Sequence, residues 1–177
     1  GLEDLDFAAA YAAGARTLVL GVAARGGALP DHWVPHLEAA IEAGLDIASG
    51  QHRRMADIAS LVERARIHNR QLHDVRHWPG GDMPLATGAR RKGRRVLAIG
   101  TDCAVGKKFT ALALHQGLVA RGVKSTFRAT GQTGVLIAGE GVALDAIPGD
   151  FISGVAEALS PANEADHWDV IEGQATV

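Results

Sequence analysis

Residues 100–110 read Gly-Thr-Asp-Cys-Ala-Val-Gly-Lys-Lys-Phe-Thr, a glycine-framed turn between an apolar run and a helical pattern. The run before it, Arg95-Val96-Leu97-Ala98-Ile99, is short and β-branched, as a buried parallel strand is. After it, Ala111, Leu114 and Leu118 fall on one helical face. A strand, a glycine turn and a helix form the setting in which unpaired amides at a helix start face an anion. Gly100, Thr101 and Gly106 belong to that cradle, Lys107 adds a point charge, and Lys108 can add a second. The usual phosphate loop has four residues between its glycines and a Ser or Thr directly after the Lys to hold Mg²⁺. Here five residues separate Gly100 from Gly106, and Lys108 stands in the hydroxyl's place. The anion cradle is thus better preserved than the metal site, and no metal is expected. Thr110 is the next hydroxyl, three residues past Lys107 and facing elsewhere on the helix. An ordinary glycine-rich strand-to-helix turn is the plain alternative.

The 177 residues suffice for one domain or two small ones. A hydrophobic content of 47% with 21% charged residues is that of a globular chain without disordered bias. The net charge of −2 argues against nucleic acid as the main partner and leaves small anionic ligands open. The lone Cys103 excludes an internal disulfide and a cysteine-cluster metal site, so a cytoplasmic setting is expected. No run approaches the roughly 18 apolar residues of a membrane span, and Gly1-Leu2-Glu3-Asp4 is not a signal peptide. The expected partners are a small-molecule substrate and further copies of the same chain, with neither nucleic acid nor membrane.

Periodicity predicts a helix over 5–13 stopped by Gly14, and a strand over Thr17-Leu18-Val19-Leu20-Gly21-Val22. Asp31 is placed to cap a helix over 33–43 with Leu37, Ala40 and Ile41 on one face, closed by Gly44. A short strand over 45–48, a helix over 55–68 and a strand over 72–75 complete a Rossmann-like half, residues 1–76. Residues 77–93 carry Pro79, Gly80, Gly81 and Pro84 and run into the basic Arg90-Arg91-Lys92-Gly93-Arg94-Arg95, which reads as a solvated linker. A second domain, residues 94–177, begins with the phosphate-loop strand. Its next strand, over 125–129, leads into the polar turn Thr130-Gly131-Gln132-Thr133-Gly134, where open α/β sheets place their ligands, and a further apolar piece over 135–138. Asp150 is placed to cap a helix stopped by Pro161, and a last strand ends at Glu172 and Gly173. The fold class is α/β: a Rossmann-like domain followed by a phosphate-loop, NTPase-like parallel-sheet domain.

Gly-Thr-Asp-x-x-Val-Gly-Lys at 100–107 is similar to the phosphate loop of dethiobiotin synthetase, and Val170-Ile171-Glu172-Gly173 resembles the acidic strand tip that helps hold Mg²⁺ there. A wider set of motifs, 45–50, 100–114, 129–139 with Asp145, and 166–174, resembles a bacterial family long catalogued as a domain of unknown function. That family joins a Rossmann-like part to a phosphate-loop part, and its members are associated with N-acetylation of D-glutamate by acetyl-coenzyme A. They are much longer than this chain, which is therefore expected to be incomplete at both ends.

The resemblance implies that Gly100, Thr101, Gly106, Lys107, Lys108 and Thr110 bind the phosphates of acetyl-CoA. Coenzyme phosphates need only be held, whereas phosphoryl transfer needs Mg²⁺ to neutralise developing charge, so Lys108 fits the first task better. Glu172 and Asp102 are the candidate bases for the amine, and Gln132 and Thr133 the candidate contacts to substrate and oxyanion. Each carboxylate has a structural alternative: Glu172 bonding turn amides, Asp102 bonding its own turn. Cys103 as acetyl carrier is the lesser possibility, and the eight His residues show no metal-ligand spacing. The competing functions are an ATP- and Mg²⁺-dependent ligase or kinase-like enzyme of the dethiobiotin synthetase type, and a non-catalytic regulator binding nucleotide or coenzyme.

Overall fold

The computed structural model describes residues 3–22, 24–78 and 81–174. It divides after Arg76 into two units, each built on its own parallel sheet. Among the described residues no helix is long and apolar enough to cross a membrane.

In the first unit the elements alternate: α1 (Phe7–Ala12), β1 (Thr17–Leu20), α2 (Val34–Glu42), β2 (Asp46–Ser49), α3 (Ala59–His68) and β3 (Leu72–Asp74). Asp6 starts α1 by accepting the Ala9 amide at 2.7 Å. β2 lies between β1 and β3, with Leu18 opposite Ile47 and Ile47 opposite Leu72. Leu37, Ala40 and Ile41 of α2 and Leu61 and Ala65 of α3 bury against Ile47, and Met55 fills the same core. This is the order of a Rossmann half.

Two helix starts of this unit differ from the sequence reading, each because of a carboxylate bonded across the fold. Asp31 does not cap α2; its Oδ1 takes the Arg53 guanidinium at 2.6 Å, and α2 begins through a 3₁₀ turn, Asp31–Trp33. The helix expected from Met55 begins only at Ala59, because Asp74 at the tip of β3 accepts the Met55 and Ala56 amides at 2.8 and 3.0 Å and fixes Met55–Asp57 as a 3₁₀ turn.

The second unit contains β4 (Arg94–Ala98), α4 (Lys107–Val119), β5 (Ser125–Arg128), α5 (Gln132–Ala138), α6 (Gly149–Leu159) and β6 (Trp168–Glu172). The last strand in sequence is the middle one in space, in the order β4-β6-β5, with Val96 and Phe127 both opposite Val170. α4 covers one face, where Ala111 packs with Phe127, Ala129 and Val170. Leu97 and Ile99, expected within a buried strand, are 53% and 68% exposed, since β4 is paired only with β6 among the described residues. The turn expected over 130–134 winds into α5 from Gln132 onward, and Gly139 at φ +76° ends it. α6 starts behind Pro148 with no side-chain cap, so Asp150 sits inside the first turn instead of before it.

Beneath the sheet, Asp169 of β6 is fully buried beside two guanidinium groups and an imidazole. Its Oδ1 accepts from Arg128 Nε at 2.8 Å, Arg95 Nε stands 3.9 Å from Oδ2, and His167 Nε2 lies 3.8 Å from Oδ1.

Residues 81–93 carry no helix or strand and are mostly exposed, yet they belong to the second unit and touch it at several points. Met83 sits on the cluster of Val142, Ile147 and Val155. A Cβ at Gly154 would lie 1.9 Å from the Pro84 carbonyl oxygen, so only glycine lets the segment cross α6 there. The basic run is engaged as well, with Arg91 donating to the main-chain carbonyls of Glu157 and Ser160. Glu157 accepts the amides of Thr87 and Gly88 at 2.6 and 3.0 Å.

The Thr87 amide, helped by its hydroxyl, the Gly88 amide and Arg91, holds the Glu157 carboxyl below the usual glutamate range. A carboxyl lowered in the folded state contributes fully above its unfolded value, and the contribution is lost as pH falls through the lowered one. The tie between Glu157 and residues 87–88 is therefore expected to persist into mild acid and to open below the ordinary glutamate range. An NMR titration of the Thr87 and Gly88 amide shifts checks this, and Glu157→Gln is expected to abolish the transition.

Candidate functional site at the phosphate loop

The loop 99–106 rises from β4 and turns into α4. Gly106 is the residue before the helix, at φ +103°, and no side chain caps α4 there. Only glycine takes that conformation without strain, and a glycine cap leaves the first-turn amides without a side-chain acceptor. The first intrahelical bond runs from the Thr110 amide to the Gly106 carbonyl, which leaves the amides of residues 107–109 directed outward at the positive end of the helix dipole. Ala104 also has positive φ, +58°, a strained value for a residue with a Cβ. Gly100 is closely approached: a Cβ there would lie 2.6 Å from Val105 Cγ2 and 3.2 Å from Lys107 Cγ, so both side chains would have to shift.

Lys107 Nζ donates to the Asp102 carbonyl oxygen at 2.6 Å, folding the ammonium back over the loop. Asp102 Oδ1 accepts the Cys103 amide at 2.6 Å, and the side chain is exposed. Lys108 Nζ lies 5.2 Å from the centre of the Phe109 ring, a weak cation–π contact at an exposed site.

Glu172, at the tip of β6, is only 5% exposed. Its Oε2 faces the amides of Thr130 and Gly131 at 3.2 and 3.3 Å, and its carbonyl oxygen accepts the Thr130 hydroxyl. Gln174 Nε2 donates to that hydroxyl at 3.1 Å. The tip of β6 thus anchors the start of α5. Gly134 makes room for the carboxylate, since a Cβ there would lie 2.2 Å from Oε2.

These elements enclose a cavity of about 480 Å³. Gly106, Lys107, Lys108, Gln132, Thr133 and Glu172, singled out from sequence, all line it. Gly100, Thr101, Asp102 and Thr110 do not: the first three lie back in the loop and Thr110 is exposed on α4. Cys103, Gly173 and Gln174 line it too. Gln174 was missed as a site residue; its place two residues beyond an acidic strand tip was the available signal. A Cβ at Gly173 would lie 1.9 Å from the Ala98 carbonyl oxygen, a main-chain atom of the neighbouring strand. Gly173→Ala is expected to force the tips of β4 and β6 apart and to cost about 1–3 kcal/mol, the usual penalty of overpacking, read as a lower urea midpoint.

A strand, a glycine loop and an uncapped helix start in the second of two α/β units make a phosphate-loop domain that follows a Rossmann-like one. The chain belongs to the DUF1611 family: residues 84–177 match its P-loop domain and residues 2–78 its Rossmann-like domain, both described as domains of unknown function. It is 52% identical over all 177 residues to a D-glutamate N-acetyltransferase of Tritonibacter scottomollicae, and 45% identical to one of a Pseudoalteromonas species. The chain spans 53% of the length of each of these relatives. The crystal structure of a DUF1611 family protein from Anabaena variabilis superposes with a TM-score of 0.85 at 38% identity, over 97% of this chain and 50% of that one.

Proposed function

We propose that the protein to which this chain belongs transfers an acetyl group from acetyl-CoA to the amine of D-glutamate, with the cavity at the phosphate loop as the donor site. The observation that carries this is convergence: three segments far apart in sequence, 106–108, 132–133 and 172–174, line one cavity that has cations and free amides on one wall and a carboxylate on the other. The two relatives named D-glutamate N-acetyltransferase supply the reaction.

Acetyl-CoA supplies an activated acyl carbon and, once the amine has attacked it, a thiol leaving group. The helix-start amides of residues 107–109 and the ammonium of Lys107 hold phosphate oxygens. Lys108 adds a second positive charge without the hydroxyl that a Mg²⁺-dependent phosphoryl transfer uses. Glu172 Oε1 takes the proton that the substrate ammonium sheds to become a nucleophile, while the Thr130 and Gly131 amides on Oε2 fix the carboxylate's direction. Asp102, exposed and bonded to its own loop, is the weaker candidate for that proton. Gln132 and Thr133 donate to the developing oxyanion. The one cysteine of the chain is a free thiol, in keeping with a cytoplasmic enzyme.

The test is to incubate the purified protein with D-glutamate and either acetyl-CoA or Mg²⁺-ATP, and to follow thiol and phosphate. Thiol release that depends on D-glutamate is expected. Phosphate release would replace this reading by a ligase, and neither product by a binding protein. Cys103→Ser is expected to retain thiol release; a dead variant would return the acetyl-carrier role to Cys103.

A further inference from the structure

A second cavity of about 740 Å³ lies in the same unit. Leu97 and Ile171 of the sheet, Ile99 at the start of the loop, and Ile152, Ala156 and Leu159 of α6 make its walls. Four residues, Cys103, Glu172, Gly173 and Gln174, line both this cavity and the one at the phosphate loop. The two cavities therefore meet along one short wall, with the Glu172 carboxylate common to both. The apolar walls are open: Leu97, Ile99 and Ile152 are 53%, 68% and 38% exposed, although a parallel sheet ordinarily has both faces covered.

We propose that this cavity receives the pantetheine arm of the coenzyme A thioester whose phosphates the start of α4 holds; the inference rests on the acetyl-CoA reading above. The occupant follows from chemistry. The donor has a highly charged nucleotide end and a long uncharged arm of methylene, gem-dimethyl and amide groups, and here a cationic cavity adjoins an apolar one. Ligand sites of this volume are mostly apolar, as this lining is, with Leu97, Ile99, Ile152, Leu159 and Ile171 in it. A nucleoside triphosphate has no uncharged arm to fill the space. D-Glutamate, with two carboxylates, fits poorly, because the guanidinium groups of Arg91 and Arg95 in the lining already donate to the carbonyls of Ser160 and its neighbours. An arm that leaves the phosphates at the start of α4 enters this cavity across the shared wall, past Glu172.

The experiment is calorimetric binding of coenzyme A and of 3′-phospho-ADP, which keeps the phosphates and lacks the arm, to the wild type, Ala156→Trp and Ile152→Trp. Ala156 and Ile152 stand one turn apart on the cavity side of α6. Wild type is expected to prefer coenzyme A. Each variant is expected to lose about tenfold or more of that affinity and to bind 3′-phospho-ADP as wild type does, which also reports an intact fold. Unchanged coenzyme A affinity in both variants overturns the proposal, as does equal wild-type affinity for the two ligands; in either case the acetyl-CoA reading stands. Loss of both ligands in both variants also overturns it, since the cavity would then be structural. A wild type that binds neither ligand fails the acetyl-CoA reading itself, and the inference falls with it. Ile152→Trp, at a partly exposed position, decides the matter if Ala156→Trp does not fold.

Discussion

Lys107→Ala is expected to raise the KM for acetyl-CoA about 10- to 100-fold and to change kcat little. A hydrogen bond to a charged group contributes about 1.5–3 kcal/mol, and each 1.4 kcal/mol is a factor of ten in affinity. Lys107 Nζ now lies on the Asp102 carbonyl oxygen, a neutral acceptor at the loop's own backbone. A phosphate oxygen is a stronger acceptor for it, so the ammonium can transfer to the ligand at small cost. If the loop only holds phosphates remote from the reacting carbon, ground state and transition state lose this contact equally, and the loss falls on KM. A ligase or kinase behaves otherwise, since its lysine neutralises charge that grows during transfer. Steady-state kinetics with saturating D-glutamate separate the two. A KM equal to wild type would remove the loop from donor binding, and a collapse of kcat alone would favour phosphoryl chemistry.

Asp169→Ala is expected to destabilise the second unit by about 3–5 kcal/mol, because removing one partner of a buried ion pair leaves the other charge without compensation. The carboxylate is fully buried, with Arg128 at 2.8 Å and Arg95 at 3.9 Å from its oxygens. Arg95 stands opposite Asp169 on β4, and Thr126 stands opposite it on β5. One side chain thus balances charge drawn from both outer strands of the three. Urea unfolding followed by far-ultraviolet circular dichroism gives the size. A shift below about 1 kcal/mol, the range of exposed pairs, would show that water reaches the guanidinium groups.

The two sheets and most helix bodies were legible in the sequence, because apolar spacing and glycine stops record them directly. The face of Leu37, Ala40 and Ile41 and the stop at Gly44 are examples. The convergence of residues 106–108, 132–133 and 172 was legible only as motif, since nothing local states that β6 inserts between β4 and β5. Once it does, Glu172 must lie beside the loop. What misled were carboxylates. Asp31 and Asp150 look like helix caps by position, but a cap competes with every other donor in reach, and Arg53, 22 residues from Asp31, wins the first contest. The composition of segment 81–93, proline, glycine and arginine, suits a linker, and it does not record the bonds the segment makes to Glu157 and Ser160, some 70 residues away.

The wall shared by the two cavities also carries the chain's one cysteine, an exposed thiol. Position 103 is therefore a ready attachment point for an environment-sensitive fluorophore within this chain. A dye there would sit where two compartments of opposite polarity join, and its emission would distinguish a ligand that occupies only the cationic side from one that spans both.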